Sequence, residues 1–133
     1  MNKSSIFLAL LVLLGTIGMT SCKKAGCSNV NACNYDPDAK ADDGTCIEKG
    51  QVTFWQDSTG NQYDIVVTVN ATEATITTSV ASAPACDYSG SASFSLCPGS
   101  HNYTAKEKFP GLKTWTGNAT ALENGCTTIF LAD

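Results

Sequence analysis

The chain has 133 residues, with eight lysines and no arginine against 12 acidic residues, a formal charge of −4 at pH 7. An acidic chain without arginine lacks the basic clusters that phosphate backbones demand, which excludes a nucleic-acid partner. The length bounds the molecule to one small domain with at most a short appendage.

In chain order, residues 1–21 come first and have the three parts of a secretory signal. Lys3 is the only charge before Cys22, residues 6–18 form a Leu-rich apolar run, and Met19-Thr20-Ser21 leads into Cys22. The apolar run is too short and wrongly flanked for a stable membrane span. A small residue before cysteine, directly after an apolar core, resembles the lipobox of bacterial lipoproteins, although Met19 stands where that family usually has Leu. The resemblance implies cleavage after Ser21, diacylglycerol on the Cys22 thiol and acylation of the new amine, so that the membrane is a partner through lipid on Cys22. Each buried CH₂ of an acyl chain contributes about 0.8 kcal/mol, so several chains on one residue give lasting attachment. The alternative is an ordinary secreted protein with a chance cysteine near the cut. Cleavage leaves residues 22–133, one charge unit more negative, with Lys23-Lys24 as the one basic pair beside the lipid, suited to anionic headgroups.

The chain has seven cysteines: Cys22, Cys27, Cys33, Cys46, Cys86, Cys97 and Cys126. An odd count in an exported protein leaves one to explain. With lipid on Cys22, six remain for three disulfides in a compartment where disulfides persist. Zinc would need clustered ligands such as Cys-x-x-Cys with histidine partners. No such pair occurs, and His101 is the only histidine. Six cysteines permit fifteen pairings.

The chain changes character near Glu48, which divides it into the signal peptide 1–21, a lipidated tether and Cys/Asp-rich segment 22–48, and a strand-forming domain 49–133. Residues 26–46 read GCSNVNACNYDPDAKADDGTC. This closely resembles a short cysteine-and-aspartate motif of secreted Bacteroidota proteins, near GCTDPxACNYDPxAxxDDGSC, which stands beside unrelated domains and marks lineage and export more than an activity. The segment has too few apolar residues for a core, so its fold rests on cross-links and on Asx turns at Asn34, Asp36, Asp38, Asp42 and Asp43. Its acid density also suggests calcium, which takes six to eight oxygens, often from alternate positions. Asn34, Asp36 and Asp38 alternate and Asp42 follows, partly resembling thrombospondin type 3 repeats. Lys40 and the register of Asp43-Gly44 depart from that pattern. The competing reading is a stapled loop with solvated acids.

Beyond Glu48 the pattern alternates with period two. Segments 51–56, 63–69, 74–80, 91–96, 101–106, 114–121 and 127–131 place Val52 and Phe54, then Ile65, Val67 and Val69, then Ile76, Phe94 and Leu96, Tyr103, Trp115, Ile129 and Leu131 on inward faces. The breaks carry turn chemistry, as in Ser58-Thr59-Gly60-Asn61, Cys97-Pro98-Gly99-Ser100 and Asn124-Gly125. The expected fold is mainly β: a seven-stranded antiparallel β-sandwich behind a disulfide-stapled N-terminal loop module, with no helix after the signal. The first two strands fit a hairpin in which Phe54 faces Ile65 and Val52 faces Val67, with Trp55 and Thr53 opposite Asp64 and Val66 on the outer side.

Val52-Thr53-Phe54-Trp55, Ala83-Pro84-Ala85-Cys86, Leu96-Cys97-Pro98-Gly99, Trp115-Thr116-Gly117 and Gly125-Cys126 resemble small immunoglobulin-like or transthyretin-like domains of Bacteroidota secreted proteins. Function does not transfer with such a likeness. Taken with the motif, the resemblance implies Cys27–Cys46 and Cys86–Cys126 pairs, which leaves Cys33 with Cys97 as an inter-module bond.

No triad, paired carboxylates or phosphate loop is visible, so the chain reads as no enzyme. His101 follows Pro98-Gly99-Ser100 without a nucleophile or orienting acid nearby, and reads as an exposed strand histidine. Trp55, Val66 and Phe130 have outward parity, either under a covering segment or as an aromatic strip for a sugar or partner surface, whereas Trp115 and Tyr103 read as core. Asn70-Ala71-Thr72, Asn102-Tyr103-Thr104 and Asn118-Ala119-Thr120 match the N-glycosylation pattern but read as Thr-rich strand ends. Asp57-Ser58-Thr59 resembles the O-glycosylation pattern of Bacteroidota, which implies a glycan on Ser58. The expectation is an outer-membrane lipoprotein, a non-catalytic binding or envelope-structural module with a protein or glycan partner left open. The alternative is a calcium- or carbohydrate-binding accessory protein. Lys-Lys-Ala-Gly after Cys22 lacks the acidic run that resembles a surface-export signal, favouring the periplasmic face.

Overall fold

The computed structural model describes residues 23–59, 63–109 and 113–132. Residues 1–21, expected as a signal peptide, and Cys22, the expected lipidation site, lie outside the described residues. The described chain is mainly β and contains no helix. It has nine strands in chain order: β1 (Ala25–Gly26), β2 (Ala41–Asp42), β3 (Gly50–Trp55), β4 (Ile65–Val69), β5 (Thr72–Ile76), β6 (Ala92–Leu96), β7 (Gly99–Glu107), β8 (Thr114–Ala121) and β9 (Cys126–Phe130).

These strands form three open sheets, ordered β1-β2, β6-β3-β9 and β5-β4-β7-β8. The expectation of seven antiparallel strands is therefore corrected twice. The Cys/Asp-rich segment contributes a small parallel pair, β1 with β2, and β9 runs parallel to β3. The expected hairpin of residues 51–56 with 63–69 is also wrong, because β3 and β4 belong to different sheets. β3 instead pairs with β6, Val52 opposite Phe94 and Phe54 opposite Ala92, and β4 pairs with β5 and β7. Parity requires only that apolar side chains meet a partner on the same face, and Phe94 and Ala92 meet that condition as well as Ile65 and Val67 do.

The two larger sheets enclose one core. The inward positions of β3, β4 and β6 meet there: Val52, Phe54, Val67 and Ala92 are fully buried, and Ile65 and Phe94 nearly so. Phe54 links the layers, its ring meeting Phe94 edge-on at 5.8 Å and Tyr103 of the other sheet at 4.8 Å. Trp115 and Tyr103, expected as core, are only partly buried and pack against its margin. The physical reason for Trp115 is its polar edge: Nε1–H donates to the Ala132 carbonyl at 2.8 Å, and Lys113 Nζ lies 5.4 Å from the ring centroid.

Three disulfides tie the chain: Cys27–Cys46, Cys33–Cys97 and Cys86–Cys126. The first closes the Cys/Asp-rich segment on itself. The second fixes it to the residue after β6, and separately the Glu48 N–H donates to Glu123 Oε1 in the loop between β8 and β9. The third straps the segment before β6 over the outer face of the three-stranded sheet. Beneath it Thr53 is fully buried despite its outward parity, accepting from the Asp87 N–H at 3.4 Å and bonding the Ser93 hydroxyl at 2.8 Å.

Candidate functional site

A cleft of about 400 Å³ opens between the edges of the two larger sheets. One wall is β6 and the residue after it, Ser93 through Cys97; the other is the β4–β5 turn with Val69, Asn70 and Thr72. Lys49 and His101 complete the lining. Five consecutive residues of a strand project to both faces of their sheet. They line one cavity together only when that cavity runs along the strand's edge, and β6 is an edge strand.

The β4–β5 turn is a two-residue loop, Asn70-Ala71, with φ of 48° and 63°. Two left-handed residues in succession match the right-handed twist of a tight hairpin, and Asn is among the side chains that tolerate this conformation best. The turn holds the Asn70 amide above His101. Nδ2 lies 3.0 Å from His101 Nδ1, while His101 Nε2 lies 2.7 Å from the Cys97 carbonyl oxygen. A carbonyl only accepts, so Nε2 carries the hydrogen and Nδ1 accepts from Asn70. His101 is therefore a half-buried strut joining the two sheets across the cleft floor, rather than the exposed strand histidine expected from sequence. At the opposite end the edges are stitched shut, with the Thr77 and Thr78 N–H groups both donating to the Gly90 carbonyl. Gly90 has φ of 92°, and a Cβ there would collide with the Thr78 side chain. The cleft is thus a wedge, closed at Gly90 and open at Cys97.

The proposed calcium oxygens are dispersed among internal donors. Asn34 donates to the Thr45 carbonyl and accepts from the Ile47 N–H, bracing the segment. Asp36 accepts from the Asp38 N–H and pairs with Lys24 at 2.7 Å, with Asp38 3.8 Å from the same ammonium. Lys24 holds the Asp36 carboxyl below its usual range, and Asp36 raises Lys24 in turn. Asp42 accepts from the Gly44 N–H, which lowers its pKa first, and from the Ser28 hydroxyl. Among the described residues no three acidic, histidine or cysteine side chains converge as a metal cluster. Lys24, expected to face headgroups, is engaged by these acids.

Trp55 and Phe130 come together as the parallel β3–β9 pairing requires, ring centroids 4.6 Å apart and tilted by 35°. Trp55 is half-buried and Phe130 is 42% exposed. Ser58 is exposed just beyond β3, in a turn where Asp57 Oδ1 accepts from both the Thr59 N–H and its hydroxyl. Asn70 is the tight turn itself, whereas Asn102 and Asn118 are mid-strand cross-strand partners, not strand ends. Sequence reasoning missed the cleft residues Lys49, Ser93 and Ser95, although the alternation of serine with Ala92, Phe94 and Leu96 was visible.

No family model matches the chain, and neither a curated protein nor a solved structure matches it.

Proposed function

We propose that the chain is a membrane-anchored extracytoplasmic lipoprotein, a non-catalytic binding or envelope-structural module held at the outer membrane by lipid on Cys22. The observation that carries this reading is the cysteine arithmetic: all six described cysteines pair with one another, leaving the cysteine of the lipobox-like Met19-Thr20-Ser21-Cys22 without a disulfide partner in this chain. A free thiol there is what lipidation consumes. The disulfide-tied frame of the larger sheets, read as an immunoglobulin-like sandwich, then supplies a rigid body with one wedge-shaped cleft for a ligand.

The test is Cys22→Ser. The variant should appear as soluble or unprocessed protein, whereas the native chain partitions with membranes and gains the mass of its acyl chains. Full membrane partitioning of a normally cleaved Cys22→Ser protein would exclude the anchor. Protease added to intact cells distinguishes the periplasmic face, on which the protein survives, from the surface.

A second reading, a carbohydrate-binding accessory protein, has one observation in its favour. Trp55 and the exposed Phe130 form a contiguous aromatic surface, and such rings stack on sugars. Phe130→Ala should then weaken retention on the host's envelope polysaccharide without lowering the melting temperature.

A further inference from the structure

The β6 edge that lines the cleft has a defined set of unused backbone groups. The Gln51 N–H donates to the Gly125 carbonyl and the Leu131 N–H donates to the Trp55 carbonyl, so odd-numbered β3 residues face β9. Even-numbered residues Gly50, Val52 and Phe54 therefore face β6, opposite Leu96, Phe94 and Ala92. Because N–H and C=O of one strand residue point the same way, Ser93 and Ser95 aim theirs away from β3, into the cleft. No described backbone group meets them. Natural edges are blunted by inward charges, bulges or proline. β6 has none of these between Ala92 and Leu96, and Pro98 comes only after its end.

The cleft also has a charge. Lys49 is exposed, makes no ion pair among the described residues, and stands at the open end, one residue before the Gly50–Leu96 pair. In a chain of net charge −4 it is a local cation beside unpaired strand donors and acceptors.

We infer that this cleft binds an extended polypeptide segment of a partner protein, added as a strand to β6 through Ser93 and Ser95, with a carboxylate of that segment on Lys49. This rests on the reading of the chain as a binding module and not on its lipid anchor. Main-chain bonds from the two serines supply affinity, and the alternate side chains of the segment meet the Val69–Thr72 wall. The carboxylate, an Asp or Glu side chain or a free C-terminus, sets register by pairing with Lys49. The stitched end at Gly90 limits the segment to the open half of the wedge.

The experiment uses the full-length secreted protein and a random octapeptide library displayed once with free C-termini and once internally. Peptides enriched in both formats with Asp or Glu near one end indicate a side-chain carboxylate, and enrichment confined to the free-end format indicates a terminal one. An enriched peptide should lose at least tenfold in affinity on Ser95→Pro, which removes an N–H that β3 does not use, and severalfold on Lys49→Gln. Should Ser95→Pro fail to fold, the wild-type protein still decides: bound peptide should slow amide hydrogen exchange at Ser93 and Ser95 at least tenfold. No enrichment, self-association through β6 in place of peptide binding, or enriched peptides that leave Ser93 and Ser95 exchange unchanged would overturn the inference. None of these outcomes bears on Cys22, whose role is read by partitioning alone.

Discussion

At the residue scale, inward parity was the most legible feature. Val52, Phe54, Ile65, Val67, Phe94 and Leu131 lie in the core where period-two alternation puts them. What the period could not reveal was the other side chain in each contact. Phe54 is fully buried and touches both Phe94 of its own sheet and Tyr103 of the facing one. Phe54→Ala removes the ring that spans the two layers, and should cost about 3–5 kcal/mol, as a large core truncation does. Chemical denaturation should show this as a lower midpoint at an unchanged slope. A loss below about 1 kcal/mol would mean that the layers collapse to fill the gap. Thr53 shows where parity failed. Its outward side chain is as buried as Phe54 because the Cys86–Cys126 strap lies over it, and only the resemblance, not the spacing, pointed to that bond. Trp115 failed for the opposite reason, since an indole N–H held by the Ala132 carbonyl keeps the ring at the margin.

Elements were legible as strands but not as partners. Segments expected from alternation coincide with β3, β4, β6, β7, β8 and β9 within a residue or two, yet the β3–β4 hairpin does not exist. Register arguments select faces, and several strands offered the right face, so the choice of partner is made by long-range packing. The Cys/Asp-rich segment has its own electrostatics. Lys24 lowers Asp36 and Asp36 raises Lys24, so the two shifts stabilise in the same window. The lowered Asp36 contributes above the ordinary carboxylate pKa and is lost as pH falls through its folded value. The raised Lys24 contributes below the ordinary lysine pKa and is lost as pH rises through its own. The pair is therefore intact from about pH 4 to about pH 10. Asp36→Asn should flatten the fall of melting temperature on the acid side, and slopes identical to wild type would show that the pair contributes nothing. The same internal bonds occupy Asp36 and Asp42, so millimolar Ca²⁺ should leave the melting temperature unchanged. A rise would reveal a cation bound by the folded state only. The segment is held to the larger sheets chiefly by Cys33–Cys97, with a sequence separation of 64. Replacing both by alanine should make residues 23–48 protease-sensitive while the remainder keeps its near-ultraviolet circular dichroism. Equal resistance in the two proteins would assign the docking to the Glu48–Glu123 contact instead.

For the whole molecule, the balance between core and cross-links decides where it is able to fold. The core has few large side chains; Phe54, Ile65 and Ile76 are the bulkiest of the fully buried ones, and alanines fill much of the rest. The disulfides have sequence separations of 19, 64 and 40. In the chain-entropy model these correspond to about 3, 4 and 4 kcal/mol, less any strain and less what nested loops share. A domain of this size has a total stability of about 5–15 kcal/mol. Removing constraints of comparable magnitude leaves little or nothing, so the reduced chain should not hold its fold at physiological temperature. Thermal melts with and without a strong reductant, followed by near-ultraviolet circular dichroism, should show a cooperative transition in the oxidised protein. In the reduced one the transition should be lost or shifted down by tens of degrees. The three single-bond variants should rank with Cys33–Cys97 and Cys86–Cys126 removal costing more than Cys27–Cys46, whose loop is shortest and most local. A reduced protein that melts within a few degrees of the oxidised one would place the stability in the core. It would also free the fold from any need of an oxidising compartment.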